Sequence, residues 1–236
     1  MHFINNIIEP KKLLLAWQSL DEEYRTRYIV AELNSTKGMV TLNYLVNTKD
    51  FLAAQQRGFE SYPAFQDINK IYSNVLDTFI RRLPPRSRGD FPQYLEGIRV
   101  KPDAKISDFA LLGYSGAKLL SDGFSLIHPF NDVTDKCELL LEIAGFRHIE
   151  ANQDTKIEVD MPVSFLIEEV NEFTKENAIR VMVGGIMRGY VNRGMIPTFL
   201  TWMSSNRVIN AWVEKINGTP GRPAAYVYVE ISAVKS

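Results

Sequence analysis

Few residues in this chain have the type and spacing that covalent chemistry needs. Ser115 lies in Gly113-Tyr114-Ser115-Gly116, which lacks the glycine–x–serine–x–glycine spacing of a nucleophile elbow. His128 has Asp122 and Asp132 as sequence neighbours, and such a set at a domain junction would suit hydrolysis, although carboxylates beside a histidine are also ordinary surface features. The single cysteine, Cys137, excludes an intramolecular disulfide. With His2, His128 and His148 it makes no zinc-binding spacing, and it reads as a small, half-buried apolar side chain. The expectation is a protein that is not an enzyme and holds no metal or cofactor.

Binding chemistry is better represented. Arg81, Arg82, Arg86 and Arg88 crowd around Pro84-Pro85 at an expected helix end. A positive cluster there suits either the helix dipole or contact with an anionic partner. A second basic series comprises Arg180, Arg188, Arg193, Arg207, Lys215 and Arg222, with Glu214 the one acid among them, whereas Glu138 to Glu176 is mostly acidic. Tyr190, Trp202, Trp212, Tyr226 and Tyr228 accompany this series. Barrel folds hold single strands by aromatic stacking beside a basic groove, each stacked base contributing about 1–3 kcal/mol. Trp202 and Trp212 fall on apolar faces and read first as core. Arg207 and Arg222 end two polar loops, Ser204 to Arg207 and Asn217 to Arg222. These are turn formers whose arginines would reach phosphate.

The elements that must position these groups divide into two sets. Short strands are expected at Leu13 to Trp17, Tyr28 to Leu33 and Met39 to Val46. A helix ended by Gly58 follows, then a helical stripe from Tyr72 to Leu83 stopped by the prolines, then short helices at Asp90 to Gly97 and Ser107 to Gly113. Phe124 to Ile127 is a strand, and the polar, proline-led stretch after it places a boundary near residue 132. Beyond it the period is strand-like: Leu139 to Phe146, Lys156 to Val159, Val163 to Ile167, Ala178 to Val183, Ile186 to Val191, Val208 to Ile216 and Ala224 to Ile231. One helix, Ile196 to Ser204, interrupts them, and Gly184-Gly185 suits a tight hairpin. The fold class is therefore α+β: a domain at 1–131 with a small sheet and several short helices, then a small antiparallel β-barrel at 132–236.

The chain has 236 residues, 45% of them hydrophobic, with a formal net charge of −1. That length supports two cores, and that charge excludes a wholly basic coat protein while leaving a local patch open. No amino-terminal signal and no apolar run of about 20 residues is present, so a cytoplasmic protein with no membrane contact is expected.

Residues 138–231 resemble the HIRAN domain, a barrel related to OB- and SH3-like folds and found in DNA-repair helicases and as bacterial stand-alone genes. The resemblance is carried by Gly145-Phe146-Arg147-His148, by Glu169 and Asn171, by Asn177-Ala178-Ile179-Arg180-Val181 and by Gly189-Tyr190-Val191-Asn192-Arg193. It implies DNA binding to single strands or 3′ ends, with Arg147 on phosphate, His148 in the place of a stacking aromatic and Asn171 on the end nucleotide. Phe173, Lys175, Arg180, Tyr190, Arg193, Arg207 and Arg222 complete the implied surface. Lys175 stands where the family has an acid that accepts from the 3′-hydroxyl. The first half is similar, over Ile29 to Leu33, Phe79 to Arg88 and Leu111 to Lys118, to the N-terminal subdomain of HipA-type kinases, without the kinase core. In three-part toxin–antitoxin relatives that subdomain docks on the kinase, which implies a protein partner met through the Arg81 to Arg88 cluster. The combined expectation is a DNA-binding adaptor, with an antitoxin that binds only protein as the alternative.

Overall fold

The computed structural model describes residues 1–21, 26–119, 122–131, 133–150, 156–169, 177–205, 207–219 and 222–233. The chain forms two compact units, one of Ile8–Tyr94 and Pro102–Phe130, the other of Met1–Ile7, Leu95–Lys101 and Asn131–Ser236. They are called the N-terminal and C-terminal units here. The architecture is α+β with antiparallel sheets, and no described helix is long and apolar enough to cross a membrane.

In the N-terminal unit, strands β1 (Lys12–Gln18), β2 (Arg27–Thr36), β3 (Met39–Tyr44), β4 (Tyr72–Ser73) and β5 (Phe124–Ile127) form one sheet in the order β4-β3-β2-β1-β5. Leu13, Leu15, Leu33, Val40, Leu42 and Tyr44 are buried on one face while Lys12, Glu32, Asn34 and Asn43 alternate away from it, the period-two pattern of a one-sided sheet. Helix α1 (Lys49–Gln56) is capped by the Thr48 hydroxyl, which accepts from Phe51 N at 3.2 Å. Its buried Phe51 joins Tyr44 and Phe59 in an aromatic cluster. Only Leu76–Ile80, helix α2, is helical in the stripe expected from Tyr72 to Leu83. Asn74, with φ 56°, breaks the period and leaves Tyr72 on a strand.

Helix α3 (Phe91–Gly97) carries the chain from one unit to the other. Helix α4 (Asp108–Ser115) begins at the expected Ser107 cap but runs past Gly113 and ends at Gly116, whose φ is 73°. Gly113 serves packing rather than termination, since a Cβ there would lie 2.6 Å from Leu13 Cδ2 and 3.0 Å from His128 Cβ.

The C-terminal unit contains two three-stranded sheets. One is β10 (Ile209–Thr219), β11 (Arg222–Ile231) and β6 (Cys137–Glu142); the other is β7 (Val163–Glu168), β8 (Ala178–Val183) and β9 (Ile186–Tyr190). Single antiparallel bridges, Ala144 with Tyr190 and Pro162 with Trp212, tie β6 to β9 and β7 to β10. The Gly184-Gly185 hairpin forms, with φ of 57° and 82°. Helix α6 (Ile196–Ser204) takes Pro197 in its first turn and buries Phe199 and Trp202.

Three expectations fail locally. Lys156 to Val159 is not a strand: Met161 N bonds Glu158 O at 3.4 Å and Asp160 has φ 69°, which makes a turn that buries Ile157 alone. Phe146–Glu150 is helix α5, since Gly145 at φ 76° reverses the chain and its carbonyl accepts from His148 N at 3.0 Å. Asn217-Gly218 is not the turn: both residues stay paired with Ala224 and Pro223, and the ladder continues to Thr219 with Arg222.

Candidate nucleic-acid interface

Backbone geometry brings together three separated parts of the sequence at one edge of the C-terminal unit. Ala144 and Tyr190 exchange two backbone hydrogen bonds, each 2.9 Å, so the start of α5 lies against the end of β9. Gly189 permits this approach. A Cβ there would sit 2.4 Å from both Ala144 O and Ile143 Cγ2, and its φ of 148° suits only glycine. The next strand places Arg180 opposite Tyr190. After Tyr190, Asn192 caps a single 3₁₀ turn, Arg193–Met195, its Oδ1 accepting from Gly194 N at 3.2 Å.

Arg147 and His148 of α5, Arg180 of β8, Tyr190 of β9 and Arg193 therefore occupy neighbouring elements. His148 is exposed and Arg147, Tyr190 and Arg193 are partly exposed. The Arg147 guanidinium lies 3.4 Å from His148 Nε2. Arg180 is a fork onto Glu168, Nε to Oε2 at 3.1 Å and Nη2 to Oε1 at 2.9 Å. Such a bidentate pair neutralises the cation that would otherwise meet phosphate. Asn171, Phe173 and Lys175 lie outside the described residues.

Other members of the basic series take structural places. Arg207 is buried and points inward, donating Nε to Ser232 O at 2.7 Å, Nη1 to Val133 O at 2.5 Å and Nη2 to Asp135 O at 2.5 Å, with its guanidinium 5.8 Å from the Trp202 ring centre. Arg188 is 1% exposed. Lys215 donates to Gly97 O and rests 4.5 Å from the centre of the Tyr226 ring. Arg222 opens β11, paired in register with Thr219 of β10. Sequence spacing detected the basic series but carried no signal for which guanidinium groups would be buried among carbonyls.

Two of the aromatics that accompany the basic series meet, and His2 covers them. Trp212 and Tyr228 stack with centroids 5.5 Å apart, and His2 packs on both at 4.7 and 5.3 Å. The Tyr228 hydroxyl donates to Phe3 O at 2.8 Å. Glu138, buried on β6, accepts from Asn6 N and Asn6 Nδ2, both at 2.8 Å, and from Asn5 N at 3.3 Å. Glu214, buried on β10, accepts from His2 N at 3.1 Å and Arg99 Nε at 2.5 Å, with His2 Nδ1 2.7 Å away. Burial pushes the Glu214 carboxyl up, and the bonds from His2 and Arg99 outweigh it and hold the group below its usual range. Nδ1 of His2 is also 2.8 Å from Trp212 Nε1, so it donates to Glu214 when protonated and accepts from the indole when not.

Three of the four arginines around Pro84-Pro85 in the N-terminal unit are also paired. Arg82 is buried, with Nη1 and Nη2 on Asp122 at 2.7 and 2.9 Å, Nε on Ala117 O at 2.8 Å and Nη2 on Phe124 O at 2.9 Å. Arg86 meets Asp108 and Ile106 O, both at 2.8 Å, and Arg88 meets Asp90 at 2.7 Å. Arg81 alone of the four extends into solvent without an ion pair among the described residues.

His128 is 4% exposed, stacked 3.6 Å from Phe130, with Nε2 3.1 Å from Ile8 O and Nδ1 accepting from Phe130 N at 3.0 Å. Asp122 accepts from Arg82, and Asp132 lies outside the described residues. Burial drives the His128 imidazole down to about 4, against a smaller upward pull from the Ile8 carbonyl. The unfolded chain takes up this proton near pH 6.5 while the folded chain refuses it until about pH 4. Stability is therefore lost as pH falls through that window, by roughly 3 kcal/mol in all. Urea denaturation at pH 7 and pH 4 is expected to show this loss, and His128→Asn, which keeps an acceptor for Phe130 N, should flatten the dependence.

Among the described residues no group of three or more His, Cys, Asp or Glu side chains is placed to hold a metal ion. Burial raises the Cys137 thiol to about 12, so it remains a thiol. No family model, curated protein or solved structure matches the chain.

Proposed function

We propose that the chain is a non-catalytic adaptor whose C-terminal unit is a HIRAN-type barrel that binds single-stranded DNA or its ends at the α5–β9 edge. The N-terminal unit, in this reading, is a HipA-N-like module that docks a protein partner such as a toxin kinase. Support for the barrel reading is the pair of three-stranded antiparallel sheets, β10-β11-β6 and β7-β8-β9, with single bridges from Ala144 to Tyr190 and from Pro162 to Trp212. One observation carries the site: Arg147, His148, Tyr190 and Arg193, from distant parts of the sequence, share one edge built around the close approach at Gly189.

The test is fluorescence anisotropy with labelled single-stranded, duplex and 3′-blocked oligonucleotides across a salt series. Phosphate contacts from Arg147 and Arg193 would give a shallow slope of log K against log salt, about −1.5 for a single strand, which Arg147→Ala lowers by about 0.7. Binding independent of salt, or no binding, contradicts the reading.

A second reading, a protein-binding antitoxin without DNA contact, is favoured by the engagement of Arg180 with Glu168 and the burial of Arg188 and Arg207. Inhibition of a partner kinase by a protein that retards no oligonucleotide would decide for it.

A further inference from the structure

Residues 1–7 are tied to the sheet β10-β11-β6 at His2 through a ring nitrogen that two groups claim. Nδ1 lies 2.7 Å from Glu214 Oε2 and 2.8 Å from Trp212 Nε1. A carboxylate only accepts and an indole nitrogen only donates, so Nδ1 serves one of them at a time. Protonated, it donates to Glu214, and the indole N–H loses this acceptor. Neutral, with its hydrogen on Nε2, it accepts from Trp212, and Oε2 loses this donor. The other carboxylate oxygen is engaged alike in both states, since Oε1 accepts from His2 N at 3.1 Å and from Arg99 Nε at 2.5 Å.

Solvent reaches the histidine and not its charge partner, the two side chains being 42% and 1% exposed. A proton therefore arrives from the open side of the ring and forms a bond to a shielded carboxylate. The groups that face the ring are Glu214 and Trp212 on β10, Tyr228 on β11 and, across Glu214, the Arg99 guanidinium. Further along the segment, Glu138 on β6, itself beside Lys136, holds Asn5 and Asn6. Burial pushes the Tyr228 hydroxyl up, and the bonds from His2 and Arg99 outweigh burial to hold Glu214 low, so neither changes charge between about pH 5 and 8. Histidine is the side chain that does so in that range.

We infer that His2 is a proton-operated switch in the hold on residues 1–7. The imidazolium fastens the segment to both oxygens of Glu214. The neutral ring hands its bond to Trp212 and leaves the main-chain bond of His2 on Oε1 alone. Acid therefore tightens the attachment to the carboxylate, and a rise in pH exchanges it for the indole. The switch does not depend on nucleic-acid binding at the α5–β9 edge.

The experiment uses the full chain labelled with ¹⁵N at its three tryptophans and follows the indole N–H signals from about pH 5 to about pH 8. Trp212→Phe assigns the signal. With rising pH the Trp212 signal is expected to move downfield as its N–H gains an acceptor, while those of Trp17 and Trp202 stay in place. Its hydrogen exchange, referred at each pH to that in His2→Phe, should slow by about tenfold. His2→Phe keeps a ring against Trp212 and Tyr228 without a ring nitrogen, and should hold the signal still across the range. Glu214→Gln keeps an acceptor for His2 N but removes the charge, and should move the midpoint of the transition to lower pH. Circular dichroism checks that each variant is folded. A Trp212 signal that does not move, that moves equally in His2→Phe, or whose midpoint is unchanged by Glu214→Gln would each overturn the assignment.

Discussion

Arg82→Met is expected to destabilise the N-terminal unit by about 3–5 kcal/mol, near the lower figure because Asp122 keeps contact with water. The methionine replaces the stem but leaves the Ala117 and Phe124 carbonyls and the Asp122 carboxylate without their donor. Arg82→Lys should recover little, since one ammonium cannot reproduce a planar fork on a carboxylate and two carbonyls at once. Urea denaturation followed by far-ultraviolet circular dichroism measures both. A loss below about 1 kcal/mol for the methionine variant would mean that the site relaxes around the missing guanidinium.

Glu214→Ala is expected to cost the C-terminal unit a similar amount, about 3–5 kcal/mol, because Arg99 stays largely buried without a counter-ion and His2 N loses its acceptor. The carboxylate joins three segments of one unit: residues 1–7, residues 95–101 and β10. Glu214→Gln, which keeps an acceptor but not the charge, should lose less. The distinguishing readout is Trp212 fluorescence, which shifts in Glu214→Ala as His2 is released from the ring. An unshifted spectrum with full loss of stability would place the cost on Arg99 alone.

Residue 214 also marks where the sequence stopped being legible. It is the one acid in a basic stretch, and it fixes the amino terminus to the last sheet. Periodicity recovered most strands because alternation is a local property, as in Leu13 to Leu15 and Val40 to Tyr44. It recovered the Gly184-Gly185 turn because positive φ leaves a direct residue signature. It missed α5, whose five residues are too few for a helical stripe, and misread Gly113 and Asn217-Gly218, where a packing partner and a strand partner override local preference. The association of residues 1–7 and 95–101 with the rest of the C-terminal unit rests on contacts such as Asn6 with Glu138 and Arg99 with Glu214, which no spacing rule reports.

Cation pairing followed the same logic. Arginine counts suggested two binding surfaces, but each guanidinium's availability depends on whether an acid or carbonyl from elsewhere reaches it. Asp122, 40 residues from Arg82, and Glu168, 12 residues from Arg180, are such partners. Arg147 and His148 remained at the surface because α5 is a single short helix whose buried contact is Phe146.

Photo-crosslinking tests the central proposal most directly. A bromouracil-substituted single-stranded oligonucleotide is irradiated with the protein, and the attached peptide is read by mass spectrometry. The account predicts attachment within the peptides bearing His148 or Tyr190, lost when unlabelled single strand competes. Attachment at Trp212 or Tyr228, beneath His2, or no attachment at all, would contradict it.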